Sequence, residues 1–107
     1  MEKVICNGCV AVLVSHGFGA GWYTWNRDYP ECLYNKQIVE AVLHNATTEQ
    51  IRDLAHEQFG EDFFPGGADG LVVEWLPIGT RFQVDEYDGA EHLEIADEQV
   101  WLVATEE

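Results

Sequence analysis

Cys9-Val10-Ala11-Val12-Leu13-Val14 is an unbroken apolar run, long enough for a strand buried on both faces and too short for a core helix. It belongs to a strand candidate over Lys3 to Ser15, bent near Asn7-Gly8. The periodicity then stops. His16 to Asn26 is rich first in glycine and then in aromatics, which reads as a structured loop. Helical spacing returns at Ile38, Val39, Val42 and Leu43, with Asn35 placed to cap the start and His44-Asn45 to end it. Thr47-Thr48-Glu49-Gln50 is a capping-box sequence, opening a second helix with Ile51, Leu54, Ala55 and Phe59 on its apolar stripe and Gly60 at its end.

The second half reads as strands. Phe63 and Phe64 precede the breaker-rich Pro65 to Gly70, and Leu71 to Leu76 is dense in β-formers. Pro77-Ile78-Gly79 suits a tight turn leading back through Arg81 to Tyr87, where Phe82 and Val84 alternate with polar residues. Asp88-Gly89 marks a two-residue hairpin turn of the primed type into Glu91 to Ile95, with Leu93 and Ile95 on the buried face. A final short strand is expected over Val100 to Ala104, after a bulge or turn at Asp97-Glu98. The resulting expectation is an α+β domain over residues 1–107, ordered β-α-α-β-β-β with a fifth short strand. Its last three strands form a meander in a mostly antiparallel sheet covered by two helices.

Charge changes the picture more than composition does. The chain has 107 residues, 47% of them hydrophobic, enough for one modest core, and carries 20 acidic against 5 basic residues for a net charge of -15. Beyond residue 52 there are fifteen acids and a single base, Arg81. Nucleic acid and anionic membrane are thereby disfavoured as direct ligands, because both are held mainly by Lys and Arg. The acids Glu74, Asp85, Glu86, Asp88, Glu91, Glu94, Asp97 and Glu98 fall on or beside predicted strands, so their spacing is fixed by the sheet. One reading is a solubilising face; the other is a docking surface that imitates phosphates toward a basic, nucleic-acid-handling partner.

The loop after the first strand admits two readings. Its glycines can shape turns while the tryptophans seal the core, which is the preferred account. Alternatively Ser15, Gly17, Gly19, Gly21, Trp22, Trp25 and Arg27 can surround a small ligand such as a nucleotide, although neither the G-x-G-x-x-G nor the G-K-[ST] pattern is present. Cys6-x-x-Cys9 is half of a zinc set that Cys32 with His16 or His44 would have to complete, and idle thiols are the simpler reading. Asp85, Glu86 and Asp88 lack the calcium-loop pattern. No nucleophile, base and orienting group can be assembled from spacing, so no catalytic residue, metal or cofactor is assigned and a non-enzymatic protein is expected. No apolar run approaches a membrane span and no leader pattern is visible, which places the chain in the cytoplasm. Its oligomeric state is not legible.

Two segments carry a resemblance. Val10 to Trp25, with its Gly17-Phe18-Gly19-Ala20-Gly21-Trp22 core, and Val73 to Gly89, with Glu74-Trp75-Leu76-Pro77-Ile78-Gly79 and Asp85-Glu86-Tyr87-Asp88-Gly89, resemble a group of short uncharacterised acidic proteins encoded by bacteriophages and prophages. Residues 10–95 are largely covered, whereas Met1 to Cys9 departs from the group's pattern. The resemblance implies a setting rather than a chemistry: a phage accessory protein acting on host machinery, with an antiviral nuclease such as a CRISPR complex among the partners it would suit.

Overall fold

The computed structural model describes residues 2–96, and the expected strand at Val100 to Ala104 lies outside them, as do Asp97 and Glu98. The chain runs β1 (Ile5–Cys6), β2 (Cys9–Ser15), a 3-10 turn (Pro30–Leu33), α1 (Lys36–Leu43), α2 (Thr48–Phe59), a second 3-10 turn (Pro65–Ala68), β3 (Leu71–Pro77), β4 (Phe82–Tyr87) and β5 (Ala90–Ile95). The α+β class is as expected. The bend near Asn7-Gly8 is a hairpin turn in which both residues take positive φ, 52° and 77°. Asn35 accepts from the Ile38 amide at the start of α1, and Thr47 and Gln50 form the reciprocal capping box of α2.

The meander is not formed. β3 pairs along its whole length with β2, from Cys9 opposite Pro77 to Ser15 opposite Leu71, giving a three-stranded antiparallel sheet in the order β1-β2-β3. β4 and β5 make a separate two-stranded ribbon. The turn at Pro77 is present, its carbonyl accepting from the Thr80 amide, but the chain leaves the first sheet there instead of folding back onto it. Packing supplies the reason. All four residues Ala11, Val12, Leu13 and Val14 are fully buried, so β2 needs apolar cover on both faces. Ala11 and Leu13 meet Ile38, Val39, Ile51, Ala55, Trp22 and Phe63 on the helical side. Val12 and Val14 meet Leu76 and Val84, flanked by Phe82, Leu93 and Ile95, on the other. The ribbon is therefore a third layer across the sheet, and a continuous meander would leave that face bare.

Candidate functional site

The ribbon has two faces with different chemistry. Phe82, Val84, Glu86, Glu91, Leu93 and Ile95 share the face toward the sheet, whereas Gln83, Asp85, Tyr87, His92 and Glu94 share the face toward solvent, as the register Val84 opposite Leu93 and Asp85 opposite His92 requires. The six proposed acids among the described residues, Glu74, Asp85, Glu86, Asp88, Glu91 and Glu94, are accordingly not one surface. Asp85 and Glu94 lie together on the outer face, Asp88 occupies the exposed turn, and Glu86, of the opposite parity but exposed at the ribbon end, accepts through its carboxylate from the Gly89 amide at 2.8 Å. Glu74 stands on the neighbouring strand, 3.6 Å from the His16 imidazole, beside a groove lined also by Leu76, His92 and Leu93.

Glu91 is the correction with the most consequence, because it is buried, with 3% of its surface exposed, and faces the interior. Its Oε1 accepts from the Ser15 amide at 2.8 Å. Its Oε2 accepts from the amides of Trp22 and Thr24 at 2.9 and 2.8 Å and from the Thr24 hydroxyl at 2.7 Å. Four donors around one carboxylate compensate a charge that would otherwise be costly to remove from water. Three of them are backbone groups, the Ser15 amide at the end of β2 and the Trp22 and Thr24 amides of the loop, so the cradle that a phosphate would need is filled by the protein's own carboxylate.

The remaining loop residues are committed in the same way. Ser15 is buried, its hydroxyl donating to the Ala20 carbonyl at 3.3 Å. Trp22 is fully buried, edge-on to Phe63 with ring centroids 5.0 Å apart, and its indole N–H donates to the Cys32 carbonyl at 2.8 Å. Asn26 donates to the carbonyls of Trp22 and Phe64 and accepts from the Phe64 amide, tying the loop to the start of the second 3-10 turn. Gly17 and Gly21 have no room for a side chain: a Cβ on Gly17 would lie 2.6 Å from the Asp69 carbonyl oxygen, and one on Gly21 would lie within the Thr24 side chain's contact radius. Gly19 donates its amide to Asp88, and Gly89, at φ 87°, is packed against the Ala20 backbone, so the tip of the ribbon and the loop are locked together. The buried residues Ser15, Gly21, Trp22 and Asn26 close this end of the core. Trp25, stacked on Phe64, and Arg27, 5.3 Å from the Tyr23 ring, face outward with His16, Phe18 and Gly19, and Tyr23 and Arg27 border a surface groove of about 420 Å³ with Tyr34, Gln83 and Asp85.

The zinc set suggested by cysteine spacing is not assembled. Cys6 and Cys9 face each other across the first hairpin, but Cys32 is fully buried, where desolvation drives its thiol far above the ordinary range, and His16 lies beyond the opposite end of β2. The signal for Glu91 was available in the sequence: it is two residues from Leu93 and four from Ile95, on the face those residues bury. Its acidity concealed it.

On the outer face Glu94 is raised above the usual carboxylate range, first by its side-chain hydrogen bond with Asp85 and then by that neighbour's charge, with His92 opposing. A carboxyl raised in the fold holds its proton more strongly than in the unfolded chain, so this pair weakens the fold above the Glu94 midpoint and the penalty lifts as pH falls through it. In an NMR titration the Glu94 midpoint should lie above that of an unhindered glutamate, and Asp85→Asn should lower it. An unmoved midpoint would show that the two carboxyls do not interact. Among the described residues no helix is long and apolar enough to cross a membrane. Compared with known proteins, the chain matches no family model, no curated protein and no solved structure.

Proposed function

We propose that this chain is a non-enzymatic accessory protein of phage type that works in the host cytoplasm by docking on a basic host protein. In this reading the solvent face of the ribbon presents carboxylates where that partner, a nucleic-acid-handling complex such as an antiviral nuclease, would hold phosphates. The supporting observation is the division of the ribbon's acids. Glu91 faces inward and fastens the ribbon to the body, and this holds Asp85 and Glu94 side by side on the outside with Asp88 at the adjacent turn. Crowding two carboxylates on a fixed face costs stability, whereas a cationic partner turns the same crowding into attraction. The small-ligand reading of the loop loses its inner donors to Glu91.

The test is capture of host proteins on the immobilised chain over a salt series, with duplex DNA as competitor. The expected partner is displaced by the DNA, binds on the order of tenfold more weakly at high salt, and is lost with Asp85→Lys combined with Glu94→Lys. Capture that is indifferent to salt, to DNA and to both reversals would overturn the proposal.

A further inference from the structure

We propose that Asp85, His92 and Glu94 form a binding site for one divalent transition-metal ion of the Zn²⁺ class on the solvent face of the ribbon. Asp85 and His92 are directly opposed in the β4–β5 register, and Glu94 follows His92 by two residues on the same face. One ligating atom from each lies within 4.8 Å of the other two, and His92 Nε2 is already 3.7 Å from Glu94 Oε1. A tetrahedral ion bound at Zn–N and Zn–O lengths of about 2.1 Å needs its donors about 3.4 Å apart. The required approach is small, since His92 and Glu94 are exposed and can swing toward the half-buried Asp85.

The imidazole decides the class of ion. Carboxylates alone would suit Ca²⁺ or Mg²⁺, which want many oxygen donors, whereas one nitrogen and two carboxylate oxygens suit zinc and its first-row neighbours. Three protein ligands leave a fourth tetrahedral position for water or for a donor from another molecule. The scaffold is stiff where it matters, since Glu91, adjacent to His92, is held by four hydrogen bonds on the opposite face. An ion here would also neutralise the Asp85–Glu94 pair. The site stands whether or not the ribbon docks on a partner, because it is defined by the chain's own three donors.

The experiment is calorimetric and NMR titration of the full chain with ZnCl₂ alone. A Cys6→Ser/Cys9→Ser background removes the thiols of the first hairpin as competing ligands. The expected result is one saturable site, shifts centred on residues 85, 92 and 94, no displacement by excess Mg²⁺, and a loss of affinity of about tenfold or more with His92→Ala and with Glu94→Gln. Both variants alter exposed side chains, so a retained amide spectrum shows that the fold is intact. Absence of saturable binding, affinity unchanged in His92→Ala, or shifts centred elsewhere would each overturn the site.

Discussion

Glu91→Gln should destabilise the protein by about 2–4 kcal/mol, and Glu91→Ala by about 3–5 kcal/mol, although the wild-type residue is a charged side chain in a strongly acidic protein. Gln has nearly the same volume, so the loss isolates the hydrogen bonding. Each carboxylate oxygen faces donors only: the Ser15 amide on one side, and the Trp22 amide, the Thr24 amide and the Thr24 hydroxyl on the other. An amide must turn its NH₂ toward one of these groups, setting donor against donor in a buried place. Ala removes the acceptor altogether and leaves buried amides unpaired, at about 1–3 kcal/mol each where no water replaces it. For a domain of this size the Gln variant should lower Tm by about 10 °C or more, measured by calorimetry. A chain whose negative charge served only solubility would be unharmed or stabilised by losing one.

Trp22→Ala should cost a comparable amount, about 3–5 kcal/mol, because the side chain is fully buried and its removal leaves a cavity in the core. The residue joins layers. Its ring packs against Phe63 beyond α2, its indole N–H reaches the Cys32 carbonyl in the first 3-10 turn, and its backbone amide is one of the Glu91 donors. Trp22→Phe separates these roles: it keeps an aromatic ring but orphans the Cys32 carbonyl, so urea unfolding should show a smaller loss than for Ala. Equal losses would place the whole contribution of Trp22 in its polar contact. The Trp22 amide that donates to Glu91 is a backbone group and survives Trp22→Ala, so any departure of the double variant from additivity measures how far the emptied core displaces that amide.

What the sequence made legible was local. The Thr47–Gln50 box, the Asn35 cap and the turns at Asn7-Gly8 and Asp88-Gly89 depend on a few neighbouring residues, and each forms where its pattern lies. Pairing of β2 with β3 depends on residues more than fifty positions apart, and nothing local at Pro77 distinguishes a turn that closes a hairpin from one that sends the chain to another layer. The decisive fact was global: four consecutive fully buried residues in β2 require cover on both faces. For the site, strand position alone put the acids on a common face. Side-chain parity then separates Asp85 and Glu94 from Glu86 and Glu91, and parity was readable once the ribbon's turn was fixed at Asp88-Gly89. The pairing of Glu91 with the amides of a loop some seventy residues earlier was not readable, because backbone donors leave no signature in side-chain pattern.

Glu91, turned inward, organises the loop and so fixes the ribbon against the body of the domain. Amide hydrogen exchange at Ser15, Trp22 and Thr24, compared between the wild type and Glu91→Gln, tests it most directly. All three amides should exchange slowly in the wild type and lose protection together in the variant, by more than the helical amides of α2 do. Fast exchange at these positions in the wild type, or protection unchanged by the substitution, would contradict it.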